Sequence, residues 1–233
     1  MRQKQPDRVM TARENQILEA ARDLLAEGGL QGMSMRGVAV KAGISATAIY
    51  HYFTDKQELV DRVVELGFQR FHEHLNNAID PQPAGSLERL MALAEAYVRF
   101  AFENQEYFRV IYSIKGSNLR SFEDLPSHGA YDLLRTCVEE GINSGVIQSG
   151  DPVVISTYLW SVIHGVVTLA MTSRFQGGEH CMPGEEINGL LTLIREFAPL
   201  IGRGLMGENL DDEHSQEKYA GEPVSLAVHV EEN

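Results

Sequence analysis

The chain has 233 residues, 43% of them hydrophobic and 23% charged, with a net charge of −13 and two cysteines. These proportions describe a chain that builds a core and exclude wholesale disorder, and the acidic balance argues against indiscriminate binding to nucleic acid. Cys137 and Cys181 form no CxxC pair, and the first ten residues (MRQKQPDRVM) hold no apolar run, so the reading is a reduced, cytoplasmic protein without a secretory signal.

Charge is unevenly spread. Residues 1–56 carry eight Lys/Arg against six Asp/Glu, whereas the stretch from Gly207 onward carries eight acidic residues and one lysine. The division expected is a flexible arm over 1–12, a head over 13–58, a helical body over 59–206 and an acidic, disordered tail over 207–233.

In chain order, Ile17, Leu18, Ala21, Leu24 and Leu25 make one face of a first helix, which Gly28 and Gly29 should stop. Ser34 caps a second helix carrying Met35, Val38, Ala39 and Ala42, halted at Gly43. Ser45 caps a third, very short helix reaching about Phe53, with Ile44, Ile49 and Phe53 turned inward. Asp55 and Glu58 form a variant capping box that opens a long helix with Leu59, Val63 and Leu66. PQPAG (81–85) interrupts the chain, and periodic helices follow at 86–103, 105–115, 129–144, 152–174 and 186–205. No strand alternation and no internal repeat occur, so the fold expected is all-α.

A helix, a turn centred on glycine and a second short helix make a helix-turn-helix, whose second helix enters the major groove of DNA. Here that helix presents Ala46, Thr47, Tyr50 and His51. Its small residues let the backbone approach closely, and the Thr47 methyl suits a thymine methyl. Lys56, in the first turn of the next helix, is placed for a phosphate. The competing reading is a small helical bundle whose tyrosines merely cover a thin core. The string S-M-R-G-V-A-V-K-A-G-I-S-A-T-A-I-Y-H-Y-F-T-D-K-Q-E-L (34–59), with the helix before it, closely resembles the DNA-binding head of the TetR family of bacterial transcriptional regulators. The resemblance implies that Ser34 and Arg36 touch phosphate and base edge. It also implies that Thr47, Tyr50 and His51 lie on the recognition helix and that Lys56 clamps the DNA backbone. Tyr52 stands where the family often has histidine; its phenol can still donate to a phosphate. The head's small positive balance is weak for an independent DNA binder, so two heads are expected to act together.

In the body, no charged residue lies between Asp151 and Arg174. That stretch is long enough to span a bilayer, but its Ser, Thr and His content and its unanchored flanks speak against a membrane role. The expectation is a helix buried on all sides, between its own domain and a second copy. Helix 186–205 adds the stripe Ile187, Leu190, Leu191, Ile194, Phe197, Ala198 and Ile201. Resemblance implies that these two helices form a homodimer, set on a palindromic double-stranded operator. Trp160-x-x-x-His164-Gly165 resembles the WHG subgroup of TetR-type sensor domains. Trp160 and His164 share a face with Thr168 and Met171, and Gly165 permits close approach of a helix or a ligand. Tyr97, Phe100, Phe108 and Tyr112 on earlier helices either line a pocket with them or are plain core. His164 is either a ligand contact or an interior histidine bonded to a backbone carbonyl.

His72 and His74, two apart on a helix, and the adjacent His180 and Cys181 lack zinc-site spacing, so no metal is expected. No phosphate loop, nucleophile elbow or apolar carboxylate pair is present, so neither a cofactor nor an enzyme is expected. The function read from the chain is a homodimeric, ligand-responsive transcriptional repressor released by a small hydrophobic or aromatic effector. The alternative is a DNA-binding regulator controlled by a protein partner or by the acidic tail.

Overall fold

A computed structural model describes residues 11–113, 128–171, 187–192 and 195 of the chain. Among them run seven α-helices and one 3-10 turn: α1 (Ala12–Gly32), α2 (Met35–Lys41), the turn Ala48–His51, α3 (Lys56–Ile79), α4 (Leu87–Glu103), α5 (Gln105–Ser113), α6 (His128–Ser144) and α7 (Pro152–Met171). No strand occurs among the described residues, and the all-α expectation holds. The N-terminal arm before Thr11, the tail 207–233 and most of helix 186–205 lie outside the described residues.

Helices α1, α2 and α3 each start on a side-chain cap. Thr11 Oγ1 accepts the Glu14 amide, and the Glu14 carboxylate returns the bond to the Thr11 amide, a full capping box. The glycines kink α1 rather than ending it. Gly29 takes φ 59°, ψ −162°, a region closed to other residues, and the helix resumes to Gly32. Ser34 Oγ accepts the Gly37 amide at 3.1 Å to open α2, and Gly43, at φ 63°, closes it.

Ser45 Oγ accepts the Ala48 amide at 3.1 Å, but the residue at the start of the element is Thr47, which makes no side-chain cap, and the element is a single 3-10 turn that ends at His51 rather than Phe53. Asp55 caps α3 through the Glu58 amide at 2.8 Å. Glu58 returns the contact to the Thr54 amide and hydroxyl at 2.6 and 2.7 Å, one residue further back than the usual box.

Ile17, Leu18, Val38, Ile49 and Phe53 of the head are buried in one continuous core with Leu59, Val63, Phe71 and Leu75 of α3 and with Tyr97, Phe100 and Tyr107 of the body. Burial of each such side chain contributes roughly 1.5–3 kcal/mol before entropy is counted. Helix α3 therefore belongs to both halves. At the 81–85 break, Arg89 bonds the carbonyls of Ile79 and Gln82 and pairs with Glu140, while Ser144 Oγ donates to the Gly85 carbonyl. The chain reversal is thus pinned to the end of α6.

Helix α7 departs from the expectation of all-round burial. Only Ile155, Ser156 and Val167 are buried on it, while Val153, Val154, Tyr158 and Leu169 are exposed. It packs one side onto α4 and α6 and leaves an apolar outer face on the single chain.

Candidate DNA interface and sensor cluster

In the head, inward and outward side chains separate cleanly. Ile49 and Phe53 are buried, whereas Ser34, Arg36, Ala46, Thr47 and His51 are exposed and Tyr50 is 55% exposed. The exposed set shares one side because Met35, Val38 and Ala39 of α2 and Ile49 of the turn are drawn into the same core. Lys41, also on α2, is engaged elsewhere: its ammonium lies 3.3 Å from Asp23 and 3.5 Å from Glu27 on α1, and these carboxylates raise its pKa against the opposing cost of desolvation. Tyr52 is half-buried and packs against the core, so it stands apart from its two aromatic neighbours.

Lys56 is placed differently from the simple phosphate clamp read from the sequence. Its Nζ donates to the Leu30 carbonyl at 2.5 Å and to the Met33 carbonyl at 2.6 Å. Two of its three ammonium protons therefore hold the connection between α1 and α2 onto the start of α3.

In the body, five of the eight expected sensor residues come together. Tyr97 lies on α4, Phe108 and Tyr112 on α5, and Trp160 and His164 on α7. The His164 ring centroid is 4.6 Å from Tyr112, 5.7 Å from Trp160 and 6.0 Å from Phe108. His164 Nδ1 lies 2.7 Å from the Tyr97 hydroxyl, which is itself 3.2 Å from the Tyr112 hydroxyl. The histidine is thus bonded to a phenol, not to the backbone carbonyl one reading of the sequence allowed. Burial holds both phenols above their ordinary range and His164 below its own, so the cluster is neutral at physiological pH.

The remaining three sensor candidates sit elsewhere. Phe100 is buried against Phe71 and His74, Met171 packs at the core's edge, and Thr168 is exposed. Gly165 faces open space: a Cβ there would meet no atom within 4 Å.

Helix α5 connects this cluster with the head. Phe108 and Tyr112 face His164, whereas Tyr107 and Ile111 face α3 and α1. The guanidinium groups of Arg22 (α1) and Arg70 (α3) both lie over the Tyr107 ring, 4.9 and 4.8 Å from its centroid. Gly67 of α3 lets α5 approach: a Cβ there would lie 2.7 Å from Ile111 Cγ2 and 3.2 Å from Tyr107 Cδ1.

The family model of the tetR bacterial regulatory proteins matches residues 17–63, and that of the tetracyclin repressor-like C-terminal domain matches residues 90–182. The chain belongs to the TetR family. The family is one of bacterial regulatory proteins rather than enzymes. The second model's description is the general repressor-like one and names no WHG subtype. The TetR-type chain is 32% identical over 116 residues to the HTH-type transcriptional repressor KstR2 of Mycobacterium tuberculosis, covering 48% of this chain and 55% of that protein. The match thus spans about half the length of this curated relative. Among solved structures, one of a protein of unknown function from Rhodococcus sp. RHA1 is 28% identical, with a TM-score of 0.66 over 87% of this chain and 100% of that one. Another, the transcriptional regulator FadR from Bacillus subtilis in complex with stearoyl-CoA, is 21% identical, with a TM-score of 0.65 over 78% and 96% of the two chains; it shows the same fold.

Within this TetR-family body the sequence reading missed Tyr131, whose ring is 6.4 Å from Trp160. It also missed the Arg22–Tyr107–Arg70 stack. Gly67 carried a usable signal, because a glycine inside a strong helical pattern marks a close approach.

Proposed function

We propose that the chain is a homodimeric, sequence-specific repressor that leaves a palindromic operator when a small hydrophobic or aromatic effector binds at the His164 cluster. The observation that carries this is the exposed face of the head. Arg36, Ala46, Thr47, Tyr50 and His51 are exposed beside a buried core, which suits a face turned to base edges, and the exposed Ser34 suits a phosphate contact. Lys56 acts by holding the α1–α2 connection that presents this face, and Tyr52 supports the turn from behind. Residues 13–58 are the DNA-binding unit and 59–206 the sensor and dimerisation unit of a cytoplasmic protein without a membrane role.

Dimerisation is supported by the apolar outer face of α7, which a symmetry-related copy covers together with helix 186–205. Two heads related in this way meet successive major grooves about 34–36 Å apart. The effector site comprises Tyr97, Phe108, Tyr112, Trp160 and His164, without Phe100, Met171 and Thr168. That a structural neighbour binds stearoyl-CoA supports a hydrophobic effector. Coupling runs along α5, because parting the rings around Tyr112 shifts Tyr107 against Arg22 of the head and Arg70 of α3. Helix α3 then changes the separation of the heads. A difference in effector affinity between the two states of about 1–3 kcal/mol suffices.

The test begins with selection of a binding site from random duplexes by the purified full chain. Tyr50→Ala should weaken gel-shift affinity for that site and leave the molecular mass of the dimer unchanged. Val154→Asp should produce monomers and a parallel loss of binding. Unchanged affinity in Tyr50→Ala refutes the recognition face, and an unchanged mass in Val154→Asp refutes the α7 interface.

A further inference from the structure

We infer that Asp23 is a positioning residue for DNA binding: its carboxylate ties α2 of the head to Arg22, which is seated on the buried Tyr107 ring of the body. This rests on the head being the DNA-binding unit and on α5 carrying the state of the body. The two oxygens of the carboxylate serve different elements. Oδ1 accepts from Arg22 Nε at 2.9 Å and from Arg22 Nη2 at 2.6 Å, while Oδ2 lies 3.3 Å from the Lys41 ammonium. The Arg22 guanidinium lies 4.9 Å from the centroid of the Tyr107 ring. Tyr107, Arg22, Asp23 and Lys41 thus lead in unbroken contact from α5 across α1 to the last turn of α2.

Shielding separates Asp23 from an ordinary surface charge. Glu27, the second carboxylate near Lys41, is 3.5 Å away and 70% exposed, where water and salt leave an ion pair with little effect. The Arg22 and Asp23 side chains are only 20% and 29% exposed, and Tyr107 is 1% exposed. A ring packed in this way moves only with its neighbours. Displacement of Tyr107 therefore draws Arg22, and Arg22 turns the carboxylate that faces Lys41.

This route is distinct from a swing of α3. Swinging α3 carries the head as a whole, whereas turning Asp23 tilts α2 inside the head. Ser34 and Arg36 lie at the start of α2, and Gly43 joins its end to the turn that bears Tyr50 and His51. Both groups of exposed head residues move with that tilt.

The experiment is a double-mutant cycle on the full chain, read as gel-shift affinity for the site selected from random duplexes. Tyr107→Leu should weaken affinity about fivefold in the parent, the low end of ordinary allosteric coupling. In an Asp23→Asn background the same change should weaken it no more than about twofold, the scatter of independent sites. Asp23→Asn alone should bind more weakly than Glu27→Gln, although each removes one negative charge. Glu27→Gln should leave the Tyr107→Leu effect at full size. Thermal melts separate lost folding from lost positioning. If Tyr107→Leu does not melt cooperatively, Arg22→Met, which lies outside the apolar core, carries the same comparison in its place. Equal losses in the two backgrounds, no loss in the parent, or equal affinities of Asp23→Asn and Glu27→Gln each overturn the role of Asp23. Tyr50→Ala run alongside keeps two failures apart. Unchanged affinity there brings down the recognition face itself, whereas weakened binding there with equal losses in the cycle removes Asp23 alone.

Discussion

Replacing Lys56 with methionine separates two roles that the residue can fill. The ammonium spans from the first turn of α3 to the carbonyls of Leu30 and Met33, one contact exposed and the other half-buried. A hydrogen bond from a charged donor contributes about 1.5–3 kcal/mol when shielded, but water replaces it readily at an exposed carbonyl. The two bonds together should therefore be worth about 1–2 kcal/mol. For a chain of this size that corresponds to a fall in Tm of roughly 2–8 °C. Methionine keeps the length and apolar stem of the side chain, so the loss reports the ammonium. Thermal melting followed by circular dichroism gives the first readout, and operator affinity across a salt series gives the second. If the ammonium serves mainly to hold the α1–α2 connection, Tm falls, affinity falls, and the slope of log K against log salt barely moves. An unchanged Tm with a slope smaller by about 0.9 per head would refute this reasoning, because that is the signature of one lost phosphate contact.

Gly67→Ala should lower stability by about 1–2 kcal/mol, since overpacking of a buried crossing costs roughly 1–3 kcal/mol and the gain in helix propensity returns at most about 1 kcal/mol. The neighbour it meets is the branched Ile111, which is stiff and 5% exposed; a melt equal to the parent would show that α5 yields freely. Burial lowers the His164 pKa from its ordinary 6.5, so protonation favours the unfolded chain. The stability owed to the neutral ring is therefore complete above about pH 6.5 and is lost as the pH falls from there through the lowered value. Melts of the parent and of His164→Phe across roughly pH 5–8 should diverge in acid, with the parent losing more, and parallel curves would refute the assignment.

The head was legible in the sequence because its determinants are local. Ser34 and Asp55 cap helices within three residues of themselves, and the apolar spacing of Ile49 and Phe53 separates inside from outside without help from the body. What escaped was conformational detail. The return of Glu58 to Thr54 instead of Asp55 depends on a rotamer, and the brevity of the turn Ala48–His51 depends on how Phe53 enters the core. In the body, the periodic rings were visible but their partners were not. Tyr97 and His164 are separated by 67 positions, and nothing in either neighbourhood announces their bond. The same distance hid the stacking of Arg22 and Arg70 on Tyr107, since arginines on helices read as solvated charge until a ring is placed against them. For α7, an apolar composition without a charge suggested burial on every side. Among the described residues, the neighbours of α7 lie on one side of it, on α4 and α6.

That outer face of α7 ties the life of the protein to its abundance. A newly made chain displays Val153, Val154, Tyr158 and Leu169 to water, and an apolar face of this kind favours sticking and recognition by quality control. In the proposed homodimer, pairing hides it by mass action, so the fraction protected rises with the number of copies in the cell. A homodimer of the proposed kind has a floor below which its subunits are lost faster than they meet. Its regulatory output should therefore fall off more steeply than in proportion as synthesis declines.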